Sequence, residues 1–154
     1  MKWVTRCNAR VNRIATAWLV RRFIDEEPVF LFVGPEQVAK VQEEQGAIGF
    51  DAPGARYPHR DGRGRCSFEA LVDEHRRGDG ALQALARIVH CADFPDEVQD
   101  ILEAAGLRAI SRGFPLVARD DHDAIEKASF LYDALYAALK NRETEGPDRS
   151  TGAP

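Results

Sequence analysis

Five consecutive apolar residues, Val29-Phe30-Leu31-Phe32-Val33, stand between Pro28 and the pair Gly34-Pro35, and this run constrains the fold most. It has the length of a strand. Without polar alternation, it suits a strand covered on both faces, as in a parallel sheet. Upstream, Trp3-Val4-Thr5 reads as a short strand. Val11, Ile14, Ala15, Trp18, Leu19 and Phe23 then recur at three and four, which predicts a helix over 12–24. Downstream, Pro35 opens a second helix to about Gln45, Gly46 closes it, and Ala47-Ile48-Gly49-Phe50 forms a third strand ending at Asp51. The order strand, helix, strand, helix, strand starts a doubly wound α/β fold. Ligands in such sheets bind beyond the carboxyl ends of the strands. The loop from Arg6 to Asn12, and Asp51, therefore fall on the functional rim.

The remainder reads as helical. Residues 52–66 form a Gly-, Pro- and Arg-rich loop, long enough to be functional. Ser67 caps a helix running to about Arg77, and Leu82, Leu85, Ala86 and Val89 define another that carries His90 near its end. Asp93 with Asp96 resembles an N-cap signal for a helix holding Val98, Ile101, Leu102 and Ala105. Asp120 or Asp121 caps the last helix, with the stripe Ile125, Ala128, Leu131, Leu135 and Leu139. The expected fold class is α/β, a short parallel βαβαβ sheet followed by a helical C-terminal half. Residues 1–142 form one domain, and 143–154, polar with Gly and Pro, form a disordered tail.

The net charge of -4 on 154 residues argues against a nucleic-acid partner. Locally the balance reverses. Residues 1–22 carry Lys2, Arg6, Arg10, Arg13, Arg21 and Arg22 with no acid, and Arg56, Arg60, Arg63 and Arg65 are relieved only by Asp61. Such clusters suit a small anion, or are paired with acids elsewhere in the fold. Cys7, Cys66 and Cys91 make no Cys-x-x-Cys pair, so a reduced, cytoplasmic setting is expected. No stretch approaches the roughly 20 apolar residues of a membrane span.

Three of four histidines stand beside acids: His59 before Asp61, His90 before Asp93, and His122 after Asp120-Asp121. Imidazole with carboxylates makes a site for zinc, manganese or iron. His90 and Asp93, spaced i, i+3, share a helical face. Asp93 as a helix cap with His90 simply packed is the plainer alternative. His122, at a helix start, is kept neutral by the dipole and can bind metal or act as a base; a supporting or surface histidine at a helix start is the plainer alternative. Glu69 is read either as dipole complementation or, beside His59 and Cys66, as a site carboxylate. Cys66 reads as a small core cysteine and His75 as solvent-facing. Arg6, Arg10 and Arg13 around a strand-to-helix turn, with Arg65 from the later loop, suit a tetrahedral oxyanion held partly by backbone amides.

Together, Trp3-Val4-Thr5-Arg6, the stretch Arg13 to Asp25, Phe50-Asp51-Ala52-Pro53-Gly54, Cys66-Ser67-Phe68-Glu69, Ile88-Val89-His90-Cys91-Ala92-Asp93 and Leu131 to Tyr136 resemble the C-terminal domain of the chromate-resistance ChrB family. The likeness covers about residues 2–141. This chain carries Asn12 where the family pattern has Asp, and Thr16-Ala17 where it has Cys-Pro or a similar pair. A weaker likeness, of Asn12, Asp51, His59 and Asp93, is to DHH-type metal phosphoesterases, whose paired histidines are absent because Arg60 follows His59.

The expected function is a cytosolic metal-binding protein of the chromate-resistance type; whether it is an enzyme is left open, and if it is catalytic the expected chemistry is that of a metal-dependent hydrolase or oxyanion-handling enzyme. Asp51, His59, His90 and Asp93 are the expected ligands of a divalent transition metal, zinc, manganese or iron. Glu69 or His122 is the expected base. Arg6, Arg10, Arg13 and Arg65 are the expected oxyanion residues, taking a small oxyanion or a phosphate-containing ligand. The alternatives are a non-enzymatic oxyanion sensor without metal, and an interaction domain with structural histidines. Oligomeric state, a homodimer included, is left open.

Overall fold

In a computed structural model, residues 1–97 and 101–145 are described. Three strands, β1 (Lys2–Arg6), β2 (Val29–Val33) and β3 (Ile48–Gly49), pair in parallel in the order β2-β1-β3. Trp3 faces Phe30 on one side and Ile48 on the other. Two helices make the crossovers: α1 (Val11–Leu19) and α2 (Val38–Gln45), the latter entered through a 3-10 turn at Pro35–Gln37. Gly46 ends α2 in the left-handed region, φ +62°, where glycine meets no Cβ penalty. The C-terminal half is helical: α3 (Ser67–His75), α4 (Gly80–Asp93), α5 (Leu102–Val117) and α6 (Asp121–Glu145). Among the described residues, no helix is long and apolar enough to cross a membrane.

The apolar run that announces the sheet lies at its edge. Only Phe30 of β2 is buried, and Val29 is 53% exposed. The centre is β1, whose Trp3, Val4 and Thr5 are all buried. A buried hydroxyl costs free energy unless it is bonded, and Thr5 donates to Phe50 O at 2.6 Å. That bond lets a polar residue occupy the middle of the sheet.

Two cores sandwich the strands. Under α2, Val4, Val38, Ala47 and Ala52 form a small one. On the opposite face Ile14, Trp18, Phe68, Leu71, Leu85, Val89, Ile125 and Tyr132 belong to the main core, built by α1, α3, α4 and α6. α1 continues as a wider π-helical turn over Val20–Ile24. Phe23 in that turn packs edge-on against Trp18 and Tyr136, with centroids 5.5 and 5.2 Å apart.

Several element ends depart from the sequence reading. Cys66, rather than Ser67, is the N-cap of α3, and that helix stops at His75. Asp93 is the last residue of α4 and caps no helix among the described residues; α5 begins at Leu102, with Ile101 at its N-cap position. Leu102 is 84% exposed while Ala104 and Leu107 are buried, so the inward stripe of α5 is offset from the expected one. Val98 lies outside the described residues. Asp120 caps α6 by accepting from Asp123 N at 2.8 Å, and α6 takes in Glu143–Glu145; the rest of the expected tail lies outside the described residues.

One carboxylate clamps α6 to α1. Asp133 Oδ1 accepts from the indole of buried Trp18 at 2.8 Å and from Arg22 Nε at 2.9 Å. Asp133→Ala leaves that indole N–H unsatisfied in the core and should cost about 1–3 kcal/mol in urea denaturation. Asp133→Asn, which keeps an acceptor, should cost clearly less. Equal losses in both would show that the indole bond is not what matters.

Candidate functional site

Two residues at the carboxyl rim of the sheet hold left-handed backbone without being glycine: Asn8, φ +60°, after β1, and Asp51, φ +48°, after β3. Such conformations cost of order 1–3 kcal/mol and gather at functional positions. At Asp51 the bend turns a carboxylate inward, 3% exposed. Its backbone is pinned by Asp51 N donating to Tyr57 O at 2.8 Å and by Arg6 Nε donating to Asp51 O at 2.8 Å. Its Oδ1 accepts from Asn12 Nδ2 at 2.9 Å and stands 2.6 Å from His59 Nδ1. Its Oδ2 faces the guanidiniums of Arg6 at 3.4 Å and Arg13 at 3.5 Å.

Asn12 is oriented from behind. Its Oδ1 accepts from Ser67 Oγ at 3.2 Å and Phe68 N at 3.3 Å, at the start of α3. A backbone N–H can only donate, so this contact fixes which end of the amide faces Asp51. Asp93, from the last turn of α4, closes the group. Its Oδ2 is buried without a hydrogen bond among the described residues, 3.5 Å from His59 Nδ1. Burial and then the charge of Asp51 push the Asp93 carboxyl up to about 6, against the opposing pull of His59, Arg13 and Arg6. His59 is raised by its bond to Asp51, with burial opposing. Ligand atoms of Asp51, His59 and Asp93 all lie within 4.8 Å of one another. Two carboxylates and an imidazole suit a borderline or hard divalent ion. His59 is 43% exposed, so the group opens to solvent on one side.

His90 belongs to a second group. Its Nδ1 stands 2.6 Å from Glu69 Oε2, and Cys66 completes a set of ligand atoms again within 4.8 Å. Cys66 is fully buried, and burial, then the charge of Glu69, push its thiol well up. Phe94 separates the two groups, its ring centroid 4.8 Å from each imidazole. Arg60 lies over Phe94 at 4.6 Å and pairs with Glu97, whose carboxylate is 3.6 Å from His90 Nε2.

Of the expected metal ligands, the fold thus brings Asp51, His59 and Asp93 together and sets His90 with Glu69 across Phe94. His122, the other expected base, packs edge-on against Phe32 at 5.0 Å, and no described hydrogen bond or ion pair joins it to either group. Arg6 and Arg13 turn toward Asp51. Arg65 pairs with Asp61 at 2.7 Å and Asp73 at 2.6 Å, and no described hydrogen bond or ion pair joins it to either group. The amides of the first turn, Asn8 N and Ala9 N, donate to Asp121 at 2.9 and 2.6 Å; an internal carboxylate sits where the sequence suggests an anion. Arg10 is exposed and lines a cavity of about 180 Å³ with Asp93, Arg108, Ser111 and Arg112. A larger cavity, about 550 Å³, lies beside Arg63, Asp73 and Arg77 and holds neither group. Phe94, Glu97, Arg108 and Arg112 carry no motif, and sequence reasoning passes over them.

The chain matches the family described as ChrB, C-terminal domain, over residues 3–139. It is 33% identical over 140 residues to Protein ChrB of Cupriavidus metallidurans, an alignment covering 88% of this chain and 40% of that protein. The chain therefore spans about two-fifths of the curated relative's length. No solved structure matches it significantly. The family match covers nearly all of the described fold, both acid–histidine groups included, and the chain belongs to the ChrB C-terminal domain family.

Proposed function

We propose that this domain is a cytosolic metal-binding module of the chromate-resistance type, with a divalent transition metal held by Asp51, His59 and Asp93. The observation that carries the reading is Asp93 Oδ2, a carboxylate oxygen buried without a hydrogen bond among the described residues, beside the buried carboxylate of Asp51. A buried carboxylate oxygen that faces only the His59 imidazole, at 3.5 Å, is poorly satisfied, and a divalent cation beside Asp51 would engage it. His59 fits a ligand's role because its Nδ1 already faces both carboxylates, Asp51 at 2.6 Å and Asp93 at 3.5 Å. A bound metal would supply Lewis acidity and an activated water on the open side. Arg6 and Arg13 hold Asp51 in place and balance its charge; Arg10 stands at the mouth. Glu69 is engaged by Cys66 N at 2.8 Å and by His90, which favours a positioning role over that of a free base.

One observation favours a second reading, a metal-free oxyanion sensor or accessory module. Arg10 and Arg112 line the cavity beside Asp93 with no acid partner among the described residues, and Arg108 joins them while donating to Cys91 O and Ala92 O, each at 3.1 Å. Metal content separates the two. Elemental analysis of purified protein should show Asp93→Asn lowered by about one equivalent of metal per chain, with His75→Ala unchanged. Equal metal in wild type and Asp93→Asn would contradict the metal reading.

Asn12 gives an independent handle. Asn12→Asp would set a carboxylate against Asp51, a like-charge contact that destabilises the metal-free fold. The variant should melt below wild type in chelator and gain more than wild type when manganese or zinc is added, because ligand binding stabilises by mass action. Equal melting temperatures in chelator would show that the charge at position 12 does not matter.

A further inference from the structure

We infer that Cys66, Glu69 and His90 form a second metal site, one of thiolate, carboxylate and imidazole, distinct from the oxygen-rich group around Asp51. The three come from two helix ends that meet: the N-cap and first turn of α3, and the last turn of α4. Cys66 and Glu69 are spaced i, i+3, and the capping box turns both side chains to the same end of α3. His90 Nδ1 reaches Glu69 Oε2 at 2.6 Å from the neighbouring helix.

A capping box alone explains part of this. It accounts for Glu69 accepting from Cys66 N at 2.8 Å. It does not account for cysteine, which is outside the preferred N-cap residues Ser, Thr, Asp and Asn. Nor does it require a histidine from another helix. Glu69 takes both hydrogen bonds on Oε2, and Oε1 accepts none among the described residues. Oε1 is left for a ligand; the buried sulfur accepts the Glu69 N–H in the capping box and keeps lone pairs for an ion, and the imidazole would exchange its Glu69 contact for that ion.

The spacing suits a tetrahedral ion. Ligand atoms around zinc stand about 3.3–3.7 Å apart, given bonds near 2.0–2.3 Å. Here one ligand atom from each of the three residues lies within 4.8 Å of the others, and the close His90–Glu69 contact need open only slightly for an ion to replace the shared proton. The donor set differs from that of the first group. Sulfur with nitrogen favours zinc or another borderline ion, whereas two carboxylates and one imidazole also accept manganese. Phe94 divides the two positions, and Arg60 with Glu97 closes over its outer side.

Cobalt(II) reads this site separately from the first, because only a thiolate ligand gives a sulfur-to-cobalt charge-transfer band in the near ultraviolet. The whole chain, with exposed Cys7 replaced by serine, is stripped with chelator and titrated with cobalt. The band should appear, persist in Asp93→Asn, and vanish in Cys66→Ser. His90→Gln should weaken cobalt binding at this position by about tenfold or more. Serine is a good N-cap, so Cys66→Ser should fold, which circular dichroism checks. Should it not fold, loss of the band in a folded His90→Gln protein supports the site, and an undiminished band there overturns it. Cobalt saturation without the band, or a band surviving in Cys66→Ser, also overturns it. Loss of metal in Asp93→Asn with the band intact speaks only to the first site.

Discussion

The buried carboxylate of Asp51 is the contact on which the working end of this domain depends. It stands 3% exposed at the rim of the sheet, on a residue held at φ +48°. Four segments meet on it: the end of β1 through Arg6, the first turn of α1 through Asn12 and Arg13, the 52–66 loop through His59, and α4 through the facing Asp93. Burying a charge is costly unless every oxygen is engaged. Asp51 meets that condition with an amide, an imidazole and two guanidiniums. Asp93 does not, and the asymmetry between the two acids is what points to a cation.

The architecture explains why the site forms where it does. A parallel sheet delivers its strand ends to one rim, and the helical half supplies a wall against that rim. The wall is made of helix ends rather than helix sides. The start of α3 presents Cys66, Ser67 and Glu69; the last turn of α4 presents His90 and Asp93. Asn12 bonds to both halves at once, donating to Asp51 and accepting from Ser67 Oγ and Phe68 N. It registers the helices against the sheet, so side chains far apart in sequence converge to within a few ångströms.

Much of this architecture is legible in the amino-acid sequence. Pro28, Gly34-Pro35 and Gly46 punctuate the first 50 residues, and the parallel βαβ order follows from that punctuation. Strand order does not follow. An apolar run tells that a strand is covered, not that it is central, and β1 hides its central place behind Lys2, Thr5 and Arg6. The chemical types of Asp51, His59 and Asp93 mark them as candidates. Their division from His90 is not readable, because an i, i+3 pair shares a face but is offset by about 4.5 Å along the axis. That offset lets His90 turn to Glu69 and Asp93 to Asp51. The basic clusters also separate only in three dimensions: Arg65 is spent on Asp61 and Asp73, while Arg108 and Arg112 join Arg10 from a helix with no motif.

The central claim is that a cation completes the Asp51–His59–Asp93 group. The most direct test is anomalous diffraction from crystals grown with manganese, collected on both sides of the manganese absorption edge. The account predicts a difference peak within about 2.0–2.3 Å of Asp51, His59 and Asp93 ligand atoms, with Asp93 Oδ2 drawn onto the ion. A map with no peak there, and Asp93 Oδ2 bonded instead to water or to a protein donor, would contradict it.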